Sequence, residues 1–389
     1  MRVIGPCRLF GGFVRSLSAK RLCFDESSVK RVLGIGMLKR VTIQHYRGFY
    51  SKQTFNFAIP DGSKPGSGLT LIVGPNNSGK TTFIEALTFT KHDGNSHRFL
   101  GIERHGRRAP IITLTDTARK TEKITNVNGG AQVDFEGHRL DELQLEIIGS
   151  RRYWTAQYSG NMNFGQFNTQ SAKQARNAGD PGTAALLAEV NKDATQRDAL
   201  TGLMKRLVPD FSSWTVNSRE PGGDYLRYET GRGNFHAVDM LGDGIVSLFR
   251  ICLHLVNNQA DDYTLIIDEP ELSLHPNAQK TLRKILSETT AKKQIIVVTH
   301  SPHFVDWDDI NNGAKVLRLN KHEDNQSVVN ELNLAATYMT ALGSSVEQWQ
   351  KPELLDVLAK EILFANKVLF ESPWVSFLGF VLGSGRSQE

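Results

Sequence analysis

An α/β fold with a small antiparallel sheet and an inserted arm is predicted for this 389-residue chain. Three apolar runs, at 69–73, 263–267 and 294–299, have the length and composition of parallel strands that are buried on both faces. A helical stretch at 277–290 lies between the last two runs. Strand, helix and strand therefore follow each other as in a parallel β-α-β unit.

The antiparallel sheet is expected at the start of the fold. Residues 41–47 and 53–59 alternate polar with apolar side chains, which predicts strands with one buried face. Farther along, short strand-like segments, turns rich in glycine and asparagine, and one polar helical tract at 184–207 interrupt the regular pattern. We interpret this stretch, about residues 91–239, as the inserted arm.

The predicted organisation has three parts. Residues 1–36 form a basic extension, residues 37–340 form the main domain with its insertion, and residues 341–389 form a helical C-terminal region. The extension is interpreted as an unstructured segment or an over-extended start, because the strand-like run 37–43 begins at Met37. An organellar targeting peptide and a folded element are the two alternatives.

The composition is that of an ordinary soluble protein, with 39% hydrophobic and 22% charged residues. Charged residues interrupt every apolar run before it reaches the length of a membrane-spanning helix, so we expect no membrane association. The three cysteines, Cys7, Cys23 and Cys252, are far apart and form no metal-binding pair. A cytoplasmic location fits this usage, and Cys252 is expected to be a core residue.

The net charge of +5 comes from the first 36 residues, which contain seven basic and two acidic side chains. The rest of the chain has 39 of each and is neutral. DNA binding is therefore possible but is not indicated by net charge, and only local clusters such as Arg104, Arg107 and Arg108 favour it.

The strongest motif follows the first apolar run and matches the phosphate-binding P-loop, G-x-x-x-x-G-K-[ST]. Glycines allow backbone N–H groups to surround the phosphates of ATP, Lys80 reaches the β- and γ-phosphates, and the Thr81 hydroxyl binds Mg²⁺. A chance glycine-rich turn is the alternative, but the buried strand before the motif and the amphipathic helix at 83–89 favour the P-loop. The predicted nucleotide-binding residues here are Gly74, Pro75, Asn76, Asn77, Ser78, Gly79, Lys80, Thr81 and Thr82.

Two adjacent carboxylates, Asp268 and Glu269, follow the second apolar run. Open α/β sheets bind their ligands at the carboxyl ends of parallel strands. Asp268 is predicted to hold Mg²⁺, and Glu269, which points differently along the strand, to act as the base for the attacking water. A solvated strand end is the alternative.

Four motifs in this order resemble an ABC-type ATPase head. They are the P-loop at 74–81 (Walker A), L-G-D-G at 241–244 (signature), D-E-P-E-L-S-L-H-P at 268–276 (Walker B and D-loop) and V-T-H-S-P at 298–302 (H-loop). The sequences of the last two motifs resemble those of the overcoming-lysogenisation-defect (OLD) family, which is related to RecF and SMC heads. The resemblance implies a P-loop ABC-type head that hydrolyses ATP and acts in DNA repair or anti-phage defence.

The resemblance also implies roles for further residues. His300 corresponds to the catalytic switch histidine that contacts the γ-phosphate, and Gly242, Asp243 and Gly244 begin a helix that meets the nucleotide of a second subunit. The usual signature serine is Gly242 here, and a plain helix-opening turn remains the alternative. Arg47 lies where these families often carry a basic residue near the nucleotide, but it can equally be a solvated strand charge.

Other candidate residues have weaker support. His92, His97 and His105 lack carboxylate or cysteine partners at ligand spacing, so they are expected to be surface residues. The run 150–154 (S-R-R-Y-W) places cations beside aromatic rings, which suits nucleic acid, the nucleotide or an exposed hairpin edge.

OLD-family nucleases continue into a Toprim domain, and residues 366–373 resemble only the opening of its first strand. Glu371 matches the place of the metal-binding glutamate, but no D-x-D pair follows. We therefore expect no nuclease activity from this chain alone, and a separate or lost nuclease or effector subunit.

The predicted function is an ATP-hydrolysing, Mg²⁺-dependent switch that works as a homodimer with two ATP molecules between its heads. A non-hydrolysing ATP-gated sensor is one alternative, although it would not need Glu269 as a base. A transport ATPase is the other, which membrane partners would indicate.

Overall fold

The computed structural model describes residues 36–89, 108–126, 133–138, 140, 143–150, 181–219, 223–231, 233–237, 242–257, 263–322 and 324–331. All of them belong to the unit Gly36–Glu389, which is separate from the unit Met1–Ile35. Several sequence predictions lie outside the described residues. These are the basic extension, the three histidines at 92–105, most of the 150–154 run and the C-terminal region with Glu371.

The described chain contains fourteen strands and six α-helices. The strands are β1 (Leu38–Gln44), β2 (Gln53–Asn56), β3 (Leu69–Val73), β4 (Ile111–Asp116), β5 (Thr121–Asn126), β6 (Val133–Gly137), β7 (Gln144–Ile148), β8 (Phe211–Arg219), β9 (Gly223–Thr230), β10 (Phe235–Ala237), β11 (Tyr263–Asp268), β12 (Gln294–Thr299), β13 (Lys315–Lys321) and β14 (Ser327–Glu331). The helices are α1 (Lys80–Thr88), α2 (Pro181–Lys192), α3 (Ala194–Leu207), α4 (Asp243–Val256), α5 (Pro276–Thr289) and α6 (Trp307–Asn311).

A six-stranded sheet in the order β14-β13-β3-β12-β11-β7 forms the centre of the fold. Its neighbouring strands are parallel, except that β14 pairs antiparallel with β13. Every residue of β3 and β12 is buried, because helices or a second sheet cover both faces. The three apolar runs thus form the predicted parallel strands, and the predicted α/β class is confirmed.

A second sheet, in the order β2-β1-β4-β5-β6, is antiparallel throughout. Gln294 of β12 links it to the central sheet. Its side-chain amide donates to the carbonyls of Leu38 and Ala58, both at 2.8 Å, while its carbonyl oxygen accepts from Leu38 N–H at 3.1 Å and from the Thr264 hydroxyl at 2.6 Å. A buried amide with all these partners satisfied stabilises the junction of the two sheets.

Two hydrophobic cores cover the two faces of the central sheet. One lies between the two sheets and includes helix α1, with Phe83 and Leu87 fully buried. The other lies under helices α2 to α5 and the three-stranded sheet β10-β9-β8. Helix α1 is therefore held between two sheets, which fixes the loop that precedes it.

The range predicted as an insertion contributes to both sheets. It supplies β4, β5 and β6 to the antiparallel sheet and edge strand β7 to the central sheet, in addition to α2, α3 and β8 to β10. The predicted helical tract at 184–207 is two helices, because Asp193 takes an extended conformation and caps α3 by accepting from the N–H groups of Thr195 and Gln196. The domain boundaries remain predictions.

Strand β1 ends at Gln44, three residues before the predicted end. His45 and Arg47 adopt positive φ angles of 56° and 47°, which a strand does not allow. No helix in the described part of the chain is long and apolar enough to cross a bilayer. Cys252 is fully buried in α4, as predicted for a core residue, and its burial raises the thiol pKa to about 12.

Candidate nucleotide-binding site

The predicted site residues lie at the carboxyl ends of three adjacent parallel strands. The P-loop (residues 74–81) follows β3, Asp268 ends β11, and His300 follows β12. Because β12 pairs with both β3 and β11, these three chain segments meet at one edge of the sheet.

The P-loop takes a conformation that requires its glycines. Gly79 has a φ angle of 110°, and a Cβ atom there would lie 2.7 Å from the Ser327 hydroxyl. At Gly74 a Cβ atom would lie 2.3 Å from the carbonyl oxygen of Leu319 on β13. Both distances are shorter than real contacts allow, so only glycine fits at these two positions.

The amino end of α1 has backbone N–H groups that can bind an anion. Gly79 is its N-cap, no side chain caps it, and no acidic residue lies in its first turn. Its first backbone N–H groups are therefore left for a ligand, and the helix dipole favours a negative one. The Ser78 hydroxyl is buried and has no hydrogen-bond partner within the described part of the chain, as expected for a group that binds a ligand.

Lys80 is buried, with 5% of its surface exposed, and its ammonium lies over the P-loop. Nζ donates hydrogen bonds to the carbonyls of Gly74 and Pro75, both at 2.8 Å. Burial lowers the pKa of Lys80, and the carboxylates of Glu269, Glu271 and Asp268 oppose that change. The lysine thus lies among three carboxylates, two of which were predicted from the sequence.

Glu269 has a positive φ angle of 45°, which is unusual for a residue other than glycine. Its backbone N–H donates to the Val298 carbonyl at 2.7 Å, which holds this conformation in place. Asp268 is 7% exposed, whereas the side chain of Glu269 is 27% exposed. The turn therefore separates a buried carboxylate from one that faces the cleft, and such local strain is typical of functional sites.

His300 contacts two carboxylates. Its Nδ1 lies 3.3 Å from Glu271 Oε1 and 3.6 Å from Glu269 Oε1, and its backbone N–H donates to Glu271 Oε1 at 2.8 Å. The imidazole itself is 41% exposed. The loop after β12 is thus tied to the loop after β11.

A cleft of about 420 Å³ lies over the P-loop, a size that suits a small organic ligand. One wall is formed by the loop and the first turn of α1, and Glu269 faces it. The other wall is formed by the segment after β1 and by the β13–β14 hairpin. Its lining residues are Arg47, Gly48, Tyr50, Asn76, Asn77, Gly79, Lys80, Thr81, Thr82, Glu269, Lys321, Asn325 and Ser327.

Arg47 lies in the wall of this cleft. Its guanidinium pairs with Glu85 of α1 and lies 5.6 Å from the centre of the Tyr46 ring. Arg47 therefore contacts its own fold and faces the cleft, and because β1 ends at Gln44 it is not the solvated strand charge that the sequence left open as the alternative.

Residues 242–244 do not line the cleft. Gly242 is the N-cap of α4 and, like Asp243, is exposed. At Gly244 a Cβ atom would lie 2.4 Å from the Ser273 carbonyl, so the helix begins in close contact with the 269–275 loop of the same chain. This packing explains Gly244 without any ligand.

The donors present suit Mg²⁺ when a nucleotide is bound. Asp268 offers a carboxylate and Thr81, at the exposed start of α1, offers a hydroxyl. Mg²⁺ is commonly held by one or two protein oxygens together with substrate phosphates and water. Among the described residues no group of three or more His, Cys, Asp or Glu side chains that could hold a metal ion is found.

Two features were missed in the sequence. Glu271 stands between the Walker B and D-loop residues, and only the fold shows its contact with His300. Lys321, Asn325 and Ser327 lie far from the P-loop in the chain, and no motif marks them. The D-E-P-E spacing was the one signal that could have indicated Glu271.

Comparisons with known proteins identify the family and the fold. The family model described as "AAA domain, putative AbiEii toxin, Type IV TA system" matches residues 69–306, more than half of the chain. The "OLD nuclease" of Thermus scotoductus is 24% identical over an alignment 402 residues long, which covers 86% of this chain and 71% of that protein. The similarity to OLD-family ATPases predicted from the motifs is confirmed.

Among solved structures, the Smc head domain with an extended coiled coil, bound to the C-terminal domain of ScpA and derived from Pyrococcus furiosus, is similar in fold. The TM-score is 0.53 at 12% identity, over 78% of this chain and 98% of that chain. An identity this low speaks for the fold alone, and it supports the predicted P-loop head.

Proposed function

The chain belongs to the AAA-domain family of P-loop ATPases matched above, and from that premise we propose that it binds ATP with Mg²⁺ and hydrolyses it. The observation that carries the proposal is the arrangement around Lys80. A buried ammonium lies beside a helix amino terminus with free N–H groups, and three carboxylates lie close enough to act on it. Phosphate binding and proton transfer both need such groups in one place.

Each side chain has a role in this proposal. Lys80 and the N–H groups of α1 hold the β- and γ-phosphates. Glu269, whose carboxylate faces the cleft, orients the attacking water and accepts its proton. His300 contacts the γ-phosphate from the end of β12. Bound Mg²⁺, held through Thr81 and Asp268, would neutralise charge on the phosphates.

We further propose that two heads bind each other around the nucleotides. The amino end of α4, where Gly242 and Asp243 are exposed, would face the γ-phosphate held by the second copy through its backbone N–H groups, with the Asp243 carboxylate directed away from the phosphate. Leu272, in the neighbouring loop, is 37% exposed and would be covered in such a dimer. ATP then stabilises the dimer, and hydrolysis releases it.

The biological role proposed here is a cytoplasmic switch in bacterial DNA repair or anti-phage defence. The similarity to a protein named OLD nuclease supports this context. A separate or lost nuclease or effector would receive the signal, and contact with DNA is compatible with the proposal.

The test is the substitution Glu269→Gln, which keeps the size of the side chain but removes the base. It should retain ATP binding, reduce the turnover number by about a hundredfold to ten-thousandfold, and accumulate an ATP-bound dimer. Turnover is measured by phosphate release and dimer formation by light scattering. Hydrolysis at the wild-type rate in Glu269→Gln would remove Glu269 from the mechanism, and the absence of turnover in the wild type would favour the sensor hypothesis.

A further inference from the structure

Glu271 is a buried carboxylate with one satisfied and one unsatisfied oxygen. The residue is 6% exposed, and Oε1 accepts a hydrogen bond from the backbone N–H of His300 at 2.8 Å. Oε2 is also buried and has no hydrogen-bond partner among the described residues. The chain segments that Oε1 joins are 29 residues apart in the sequence.

This arrangement is costly for the fold. A buried carboxylate with an unpaired oxygen destabilises a protein. A carboxylate placed at a cost beside a nucleotide site indicates a role in the chemistry there.

The contact with the imidazole defines its orientation. A carboxylate oxygen only accepts hydrogen bonds, so Glu271 Oε1, 3.3 Å from Nδ1, favours the form of the ring in which Nδ1 carries a hydrogen. Nε2 lies on the opposite side of the five-membered ring and is therefore directed away from Glu271. With the imidazole 41% exposed, Nε2 is the ring nitrogen free to meet a ligand.

We propose that Glu271 is a positioning residue for His300: it fixes the backbone and the ring through one oxygen, so that Nε2 points toward the γ-phosphate. This inference rests on the proposed ATPase function. Glu271 itself does not touch the nucleotide, and its effect on turnover passes entirely through His300.

A double-mutant cycle with Glu271→Ala and His300→Ala tests the inference. Glu271→Ala should reduce the turnover number roughly tenfold with little change in ATP affinity, as expected when the partner that orients an active-site imidazole is lost. The double variant should be no slower than His300→Ala alone. If Glu271 only stabilised the fold, the double variant would show the product of the two single reductions in turnover number. That result would overturn the inference.

Conservative and distant substitutions complete the experiment. Glu271→Gln keeps an oxygen that can accept from the backbone N–H of His300 and lie beside Nδ1, so its turnover should stay within about threefold of wild type. If Glu271→Ala does not fold, the turnover of Glu271→Gln tests the inference instead. A folded Glu271→Gln variant that is as slow as His300→Ala would contradict the proposal that an acceptor oxygen at residue 271 positions His300. Glu288→Ala, which removes an exposed pair with Arg206 far from the site, should leave turnover unchanged. If the wild-type protein did not hydrolyse ATP, the proposed function would be refuted. If the wild type were active and the two substitutions reduced turnover independently, only the role of Glu271 would be refuted.

Discussion

Two buried carboxylates, Asp309 and Glu271, have opposite surroundings. Asp309 is 3% exposed and has a partner for each oxygen, since Arg283 donates to Oδ2 at 3.1 Å and the Ser287 hydroxyl donates to Oδ1. Glu271 is buried to a similar degree but leaves Oε2 unpaired within the described chain. Full pairing suits a stabilising role for Asp309, whereas the incomplete pairing of Glu271 is compatible with the positioning role proposed for it.

The two carboxylates also lie at opposite ends of the central sheet. Glu271 belongs to the loop at the carboxyl ends of the parallel strands. Asp309 packs against Gly66, in the loop that enters β3, where an added Cβ would lie 2.8 Å from Asp309 Cα. Substitutions at the first end should therefore change activity, and substitutions at the second should change stability.

The largest effect is expected for Lys80→Ala at the carboxyl end. It should abolish ATP binding, because no other buried ammonium faces the P-loop within the described residues. Stability should hardly change, with a melting temperature within about 3 °C of wild type, since burial of the charge is itself unfavourable. Calorimetric titration measures the ATP affinity, and thermal unfolding measures the melting temperature. A large fall in melting temperature would contradict the expectation that residues at the carboxyl ends of the strands affect activity and not stability.

The opposite pattern is expected for Asp309→Ala. The substitution removes a buried partner of the Arg283 guanidinium, which keeps its pair with Asp306 at 3.0 Å. The free energy of unfolding should fall by about 3 kcal/mol, while ATP affinity at low temperature stays near wild type. The exposed neighbour provides the control, since Asp308→Ala should cost less than about 1 kcal/mol. Equal decreases in the free energy of unfolding for Asp309→Ala and Asp308→Ala, measured by urea unfolding, would argue against a special role of Asp309.

A smaller effect is expected at the β13–β14 hairpin, where Lys321 lines the cleft. Lys321→Ala should weaken ATP binding about fivefold, because an exposed cation adds only a modest contribution to phosphate binding. Lys315, at the other end of the same strand, pairs with Glu331 at 2.9 Å and is the matched control. Equal affinities of Lys321→Ala and Lys315→Ala would show that the hairpin wall does not contact the ligand.

The smallest effect concerns pH. Burial raises the pKa of the Asp309 carboxyl above its ordinary value of 3.8, although the hydrogen bond from Ser287 and the charge of Arg283 oppose this. The ionised form therefore costs stability at neutral pH, and that cost disappears as the pH falls through the raised pKa toward 3.8. The wild type should gain melting temperature relative to Asp309→Asn in this window, because the variant does not titrate there. A constant difference between the two proteins would refute the raised pKa.

Much of the site could be predicted because its residues belong to short motifs. The P-loop, the Asp268-Glu269 pair and His300 each follow an apolar run directly, and a residue that ends a parallel strand has a defined place at the edge of the sheet. The bounds of β3 and β12 agree with the predicted strands for the same reason. Less regular segments were harder to predict, and the single tract expected at 184–207 is two helices divided by the Asp193 cap.

The amino-acid sequence by itself determined the fold class and marked the P-loop and Glu269 as candidate site residues, because these depend on local pattern and spacing. Only the tertiary structure decided that Glu271 meets His300, that Ser327 packs against Gly79, and that Gln294 joins the two sheets. In each case the contact joins segments that are far apart in the chain. Such contacts depend on strand order and register, which are selected by the packing of whole sheets and leave no short motif in the sequence.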